Sequence, residues 1–128
     1  MKRQAKIPRR VVVSAAFRAS ASEMAAYYKS LRATFPNAGE RFRRLMTQLT
    51  EDILPRLANR PAMGHRFILS RHADQVERSA VAAVEAMLAE HSGAEVREWV
   101  SAPFTVLYVV TERDLILVGL KHHRQSGY

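Results

Sequence analysis

The chain has 128 residues, of which 48% are hydrophobic and 25% charged, and it contains no cysteine. This length is typical of one domain, and the hydrophobic fraction is that of a packed chain rather than a disordered one. The absence of thiols excludes disulfide scaffolds, iron–sulfur clusters, cysteine-ligated zinc and cysteine nucleophiles. No apolar run reaches the roughly 18 residues of a transmembrane helix, and no signal-peptide hydrophobic region follows the basic N-terminus. We therefore expect a single cytoplasmic domain over residues 1–128, without membrane contact.

The charge balance is strongly basic. Lysine and arginine number 20 against 12 acidic residues, which gives a formal net charge of +8. A charge of this sign favours a polyanionic partner such as a nucleic acid, a ribosome or an acidic protein. The alternative is a basic domain whose charge only keeps it soluble.

The N-terminal part of the chain predicts an arm, a strand and a helix. Residues 1–10 carry five positive charges without periodicity and are interpreted as a flexible basic arm. Val11–Ser14 is a mostly β-branched run of strand length. Ser20 and Glu23 form a capping-box pattern that predicts a helix start, and Pro36 closes that helix. The apolar face of the helix consists of Met24, Tyr27, Tyr28 and Leu31, so both tyrosines are interpreted as packing residues.

A second helix is predicted where the capping pattern recurs at Asn37 and Glu40. Pro55 is expected to kink this helix or end its regular hydrogen bonding, because proline has no amide proton to donate. The short link between the two helices indicates an antiparallel hairpin, and turn residues predict a loop over residues 59–64.

Residues 65–93 are predicted as an inserted helical segment. Residues 65–73 are ambiguous, and a helix then begins at Asp74. It ends near Gly93, since glycine suits the left-handed conformation that follows many helices. The sequence leaves open whether this helix docks on the sheet or projects outward.

The last third of the chain changes to strand periodicity. Three short runs rich in valine, leucine, isoleucine and aromatic residues cover residues 95–100, 104–110 and 115–120. Their short loops require antiparallel pairing, because a parallel crossover takes a dozen residues or more. We predict an α+β fold: an N-terminal strand and a helical hairpin packed on an antiparallel sheet, with an extra helix inserted before a C-terminal three-strand meander.

The final hairpin carries a resemblance to a known family. Phe104–Val110, a short turn and Leu115–Gln125 form aliphatic strands that run into a basic, histidine-bearing tail. This segment resembles the C-terminal hairpin of the RelE/ParE superfamily, the toxin half of bacterial type II toxin–antitoxin (plasmid stabilisation) systems. Arg97 stands where that family often places an arginine on its second strand.

The helical hairpin adds to this resemblance. Residues 20–59, followed by Pro61 and Gly64, are similar to the family's helical pair and the loop that closes it. The resemblance covers about residues 10–64 and 94–125, whereas residues 65–93 depart from the compact family pattern.

The resemblance implies a toxin without a cofactor that is neutralised by a cognate antitoxin, a small acidic protein. RelE-like members cut messenger RNA on the ribosome, and ParE-like members inhibit DNA gyrase without catalysis. The basic, histidine-bearing tail favours the first target, a metal-independent mRNA endoribonuclease that inhibits translation. A gyrase inhibitor and a non-toxic basic RNA-binding domain remain the alternatives.

The tail combines cations with proton carriers. Alternate residues of a strand share a face, so Lys121 and His123 would face one way and His122 and Arg124 the other. Histidine titrates near neutral pH, and cations stabilise the charge that develops on a reacting phosphate. His122 or His123 would act as acid or base, while Lys121, Arg124 and Arg97 hold the phosphate. The alternative is a solvated tail without fixed geometry.

Further contacts to RNA or another target are predicted at Tyr128, Arg41 and Arg44. Tyr128 could stack on an exposed base, and the two arginines, three residues apart, are neighbours on one helix face. The alternatives are a solvated helix face for the arginines and, for Arg97, an ion pair with Glu95 or Glu98.

Other side chains are assigned to structure. Tyr108 is interpreted as core filler and Trp99 as a core or interface anchor. Adjacent histidines on a strand point to opposite faces, and no carboxylate–histidine cluster accompanies them, so no metal site is predicted. The ribonuclease hypothesis requires the last strand to bring its imidazoles and cations to the same cleft as Arg97.

Overall fold

One five-stranded mixed sheet organises the part of the chain that the computed structural model describes, which is residues 8–67, 78–101 and 104–122. The strand order is β1-β5-β4-β3-β2. The strands are β1 (Arg10–Val13), β2 (His65–Arg66), β3 (Glu95–Ser101), β4 (Phe104–Val110) and β5 (Asp114–His122). The predicted α+β class and the antiparallel meander β3–β4–β5 are confirmed.

The expectation of a purely antiparallel sheet is wrong, because β1 pairs parallel to β5. Parallel neighbours need a long crossover, and the helices between β1 and the meander provide one. The edge strand β2, which lies in the segment whose structure the sequence left ambiguous, pairs antiparallel with β3.

Helices account for most of the chain between β1 and β3. They are α1 (Ala15–Ser30), α2 (Ala38–Gln48), α3 (Leu54–Asn59) and α4 (Arg78–Glu90), with 3-10 turns at Leu31–Ala33 and Pro61–Met63. The turn Leu49–Ile53 between α2 and α3 is π-helical. Pro55 cannot donate to the carbonyl four residues back, so the irregularity predicted around Pro55 is present as this wider turn.

The start of α1 differs from the prediction. Ser14, which has an extended backbone, is the N-cap, and its Oγ accepts a hydrogen bond from the amide of Phe17 at 3.1 Å. The predicted cap Ser20 instead lies buried within the helix. The stretch from Ala15 to Ala19 therefore continues the helix, although the Ser20–Glu23 pattern placed its beginning later.

The two faces of the sheet carry different helices. Phe104, Val106 and Leu115 pack with α1 to α3 in one hydrophobic cluster, while Leu107 and Val109 pack with α4 in another. Val84, the fully buried residue of α4, belongs to the second cluster. The inserted helix therefore docks on the face of the sheet opposite the helical hairpin. It does not cover the hairpin helices.

The basic arm is shorter than the predicted residues 1–10. The Arg9 guanidinium donates to the carbonyl oxygen of Thr111 at 2.8 Å, and Arg10 begins β1 and pairs with Asp114 at 3.1 Å. Residues 1–7 and the predicted helix start Asp74 lie outside the described residues. No helix in the described parts of the chain is long and apolar enough to cross a membrane.

Candidate functional site

A pocket of about 480 Å³ opens between α1, α2 and the end of β5. It brings together three predicted site residues, because His122 lies beside Arg41 and Arg44, which are about 80 positions earlier in the sequence. We call it the hairpin pocket. Its walls are formed by Tyr27, Tyr28, Leu31, Phe35, Ala38, Arg41, Arg44, Leu45 and His122.

An irregularity in β5 aims His122 into this pocket. Leu107 of β4 pairs with Gly119, but the next residue, Tyr108, pairs with Leu117, so Val118 is an extra residue in β5. A β-bulge of this kind changes which residues share a face beyond it. Leu115 and Leu117 face the hairpin helices before the bulge, and Leu120 faces them after it.

The same bulge determines whether Lys121 or His122 faces the hairpin helices, a choice that the sequence left open. Strict alternation from Leu117 would turn Lys121 toward the helices. With the extra residue, His122 faces them, and Lys121, which pairs with Thr105, lies on the other face. Lys121 and His122 therefore lie on opposite faces, as strand alternation predicts, and Lys121 does not line the pocket beside His122.

His122 is held against two tyrosines of α1. Its ring centroid lies 5.2 Å from that of Tyr27, with the planes tilted by 41°, and 5.3 Å from that of Tyr28, with the planes nearly perpendicular. The histidine is 8% exposed and Tyr28 is 5% exposed, whereas Tyr27 is only partly buried. The packing fixes the position of the imidazole at the floor of the pocket.

Two guanidinium groups lie on the α2 side of the pocket. Arg41 and Arg44 are three residues apart and therefore neighbours on one helix face. Arg44 pairs with Glu40 at 3.1 Å in an exposed ion pair, which is weak because both groups remain hydrated. Arg41 forms no ion pair within the described residues. Among the described residues that line the pocket, two are arginines and none is acidic.

The chemistry of this pocket suits a nucleotide. Aromatic rings offer a stacking surface for a base, and arginine forks match the geometry of a phosphate. An imidazole adds a group that can accept or donate a proton. Tyr27, Tyr28 and Phe35 were not predicted as site residues, because their helical spacing is equally that of packing residues. Their position at the end of α1 next to the hairpin link was the available signal.

Arg97 lies elsewhere. It is opposite Tyr108 on β4, whereas His122 is opposite Phe104, four residues further along, which is about 13 Å of strand. Arg97 lines a different pocket, beside Gly64 and Trp99. The expected common cleft of Arg97 and His122 is therefore wrong, because their positions on the sheet ladder hold them apart.

The surroundings of Arg97 are structural. Its guanidinium donates to the carbonyl oxygen of Gly64 and to Glu95 at 3.0 Å, so the predicted alternative of an ion pair with Glu95 is confirmed. Tyr108, fully buried as the core interpretation requires, accepts from the Gly64 amide and donates to the Pro61 carbonyl. Burial raises the pKa of Tyr108 above its ordinary value of 10.0, against the opposing effects of the Gly64 hydrogen bond and Arg97.

The remaining predicted residues are accounted for as follows. His123, Arg124 and Tyr128 lie outside the described residues. Trp99 packs against the helical core, as expected of an anchor, and its buried Nε1 has no hydrogen-bond partner among the residues that the structure describes. His65 on β2 contacts Glu98 at 3.2 Å. Within residues 8–67, 78–101 and 104–122, no group of three or more histidine or acidic side chains is placed to hold a metal ion.

No protein-family model matches the sequence, and neither does any curated protein.

Proposed function

We propose that this protein is a RelE/ParE-like toxin that cleaves RNA at the hairpin pocket without a metal ion. The observation that carries the proposal is the convergence of His122 with Arg41 and Arg44 in one aromatic-walled pocket. The α+β class and the chain order of strand, helical hairpin and meander agree with the fold that the resemblance implies, although β1 pairs parallel to β5. An acidic antitoxin is the proposed regulator, since opposite charge accelerates association.

The proposed reaction uses the 2′-hydroxyl of RNA as the nucleophile. His122 accepts the 2′-hydroxyl proton as the 2′ oxygen attacks the neighbouring phosphorus. The bond from phosphorus to the 5′ oxygen breaks, and this oxygen leaves with a proton from Tyr27, the more exposed of the two pocket tyrosines. The products are a 2′,3′-cyclic phosphate and a 5′-hydroxyl. Arg41 and Arg44 stabilise the negative charge on the pentavalent phosphate.

The test is cleavage of RNA by the purified protein in the presence of a chelator. Single-stranded RNA and mRNA-programmed ribosomes are the substrates, and the cyclic phosphate ends are mapped. His122→Gln should reduce the cleavage rate by about 10²- to 10⁴-fold, the usual contribution of a general acid or base. His65→Gln is the matched control, because His65 is exposed on β2 and outside the pocket.

Four outcomes decide the proposal. Cleavage by the wild type, retained in His65→Gln and lost in a folded His122→Gln variant, supports it. Unchanged cleavage by His122→Gln removes the histidine from the chemistry. An intact RNA pool combined with lost DNA supercoiling after induced expression assigns the protein to gyrase inhibition instead, and unimpaired growth indicates a non-toxic RNA-binding domain.

A further inference from the structure

A second depression lies on the other side of Tyr28, between the same two helices. Its volume is about 430 Å³, and we call it the cationic groove. Tyr28 contributes to both walls, so the groove and the hairpin pocket are immediate neighbours. The groove is lined by Ala25, Tyr28, Lys29, Arg32, Gly39, Phe42 and Arg43.

Three exposed cations surround this groove without acidic partners. Lys29, Arg32 and Arg43 form no ion pair within the described parts of the chain. Five other arginines of the described residues form ion pairs, for example Arg10 with Asp114 and Arg56 with Asp52. The unpaired charges repel one another, so an arrangement that keeps them close favours an anion between them.

The helix dipole explains only part of this cluster. Lys29 lies in the last turn of α1 and Arg32 just beyond it, where cations stabilise the exposed carbonyl groups. Arg43 lies in the middle of α2, where that effect has faded. Its position opposite the other two cations needs another reason.

The floor of the groove is open at Gly39. A Cβ added there would lie 3.5 Å from a terminal nitrogen of Arg32, so the guanidinium passes directly over the glycine. The close approach of Arg32 to α2 brings its charge toward that of Arg43, and the ring of Phe42 forms the neighbouring wall. Guanidinium groups beside an aromatic ring are typical of surfaces that bind single-stranded nucleic acid.

We propose that the cationic groove binds the backbone phosphates of single-stranded RNA next to the nucleotide held in the hairpin pocket. This inference rests on the proposed function for its choice of ligand. The RNA strand passes over Tyr28, with one nucleotide in the hairpin pocket and the adjoining phosphates between Lys29, Arg32 and Arg43. The groove adds affinity for longer strands and takes no part in bond cleavage.

The test measures binding of a fluorescent 2′-O-methyl oligonucleotide of about 12 nucleotides by anisotropy. The missing 2′-hydroxyl keeps the probe intact whether or not the protein cleaves RNA. The variant Lys29→Gln/Arg32→Gln/Arg43→Gln should weaken binding by roughly tenfold to hundredfold near 0.1 M salt. The slope of log affinity against log salt should fall by about 2, since each lost phosphate contact on a single strand contributes about 0.7.

The control variant removes the same charge elsewhere. Arg18→Gln/Arg60→Gln/Arg113→Gln alters three exposed arginines that lie outside both depressions. It should change the affinity by less than about threefold, because non-contacting charges act only through the screened field of the protein. Binding of a probe of about three nucleotides should be the same for wild type and groove variant, since so short a strand fills only the hairpin pocket.

Each result supports or overturns the inference. Equal losses in the two triple variants would assign the effect to net charge and overturn it, as would wild-type affinity in the groove variant. If the groove variant folds poorly, Arg43→Glu tests the same point with a single exposed side chain. A wild type that binds the probe through the groove but cleaves no RNA leaves the inference intact and refutes the proposed function. The reverse result refutes the groove alone.

Discussion

The hydroxyl of Tyr108 accepts a hydrogen bond from the amide of Gly64 at 3.0 Å and donates one to the carbonyl of Pro61 at 2.6 Å. One buried side chain of the central sheet thereby holds both ends of the turn between α3 and β2. Arg97 adds a third bond, to the Gly64 carbonyl. We call this group the turn anchor, and it gives Arg97 and Tyr108 structural roles.

The first prediction concerns the hydroxyl itself. Tyr108→Phe leaves the Gly64 amide and the Pro61 carbonyl without their partner, so the free energy of unfolding should fall by about 1–3 kcal/mol. Urea denaturation measures the change. Ser30→Ala is the matched control, because it removes an exposed hydroxyl that bonds only within its own helix turn, and it should change stability by less than about 0.5 kcal/mol. Equal effects of the two substitutions would contradict the anchor.

The second prediction concerns Gly64. Its backbone angles, φ −75° and ψ 153°, suit any residue, so an alanine there meets a purely steric obstacle. The added Cβ would lie 2.3 Å from the Tyr108 hydroxyl oxygen and 2.8 Å from the carbonyl oxygen of Glu98. Gly64→Ala should destabilise the protein by about 1–3 kcal/mol or more.

A double-mutant cycle separates the two obstacles. Tyr108→Phe removes the nearer atom, so Gly64→Ala/Tyr108→Phe should be destabilised by less than the sum of the single changes. The carbonyl of Glu98 remains, so the relief should be partial. Strictly additive losses in the free energy of unfolding would show that the added methyl group does not clash with the Tyr108 hydroxyl.

The third prediction concerns alkaline pH. Burial raises the pKa of Tyr108, so the folded state holds this proton more tightly than the unfolded chain does. The associated stability is fully present below the ordinary pKa of 10.0 and is lost as the pH rises through the folded-state pKa. The difference in urea midpoint between wild type and Tyr108→Phe should therefore shrink above about pH 10. A difference that stays constant or grows above that pH would contradict the direction of the shift.

The fourth prediction compares two helix caps. Ser14→Ala should lower the free energy of unfolding by about 1 kcal/mol, because its Oγ satisfies the Phe17 amide at the start of α1. Asn37→Ala should cost less than about 0.5 kcal/mol, since its side chain makes no capping hydrogen bond in front of α2. Thermal unfolding of the two variants side by side checks the order, and a larger loss for Asn37→Ala would reverse it.

The sequence predicts periodic elements well and irregular ones poorly. The strand runs at 95–100 and 104–110 agree closely with β3 and β4, and β4 is the clearer of the two because it is buried at every position and reads as a nearly continuous apolar run. Ser20 and Glu23 have the residue types of a capping box, but the helix begins earlier, because Ser14 directly follows β1 and is the N-cap. Parallel pairing of β1 with β5 depends on contacts about 100 residues apart, which no local pattern encodes.

The candidate site was also predictable only in part, because the sequence shows residue types but not the long-range packing that brings them together. The residue types of His122, Arg41 and Arg44 singled them out, but their meeting depends on how α2 crosses the end of β5. The prediction that Arg97 lies near His122 is wrong, because a position on the first strand of the meander does not fix its distance from the end of the third. Tyr27 and Tyr28 have the helical spacing of packing residues, and in the structure they also line the pocket.

The bulge at Val118 decides which side chain at the end of β5 enters the hairpin pocket, and therefore which chemistry the pocket can perform. Regular pairing of the same residues with β4, without the bulge, would exchange the two faces of the strand beyond Leu117. An ammonium group would then replace the imidazole beneath the tyrosines, and the pocket would lose its proton-exchanging group without any substitution at position 122. Alignments that treat this strand as gap-free would pair functionally different residues, so the length of the strand is as informative as its composition.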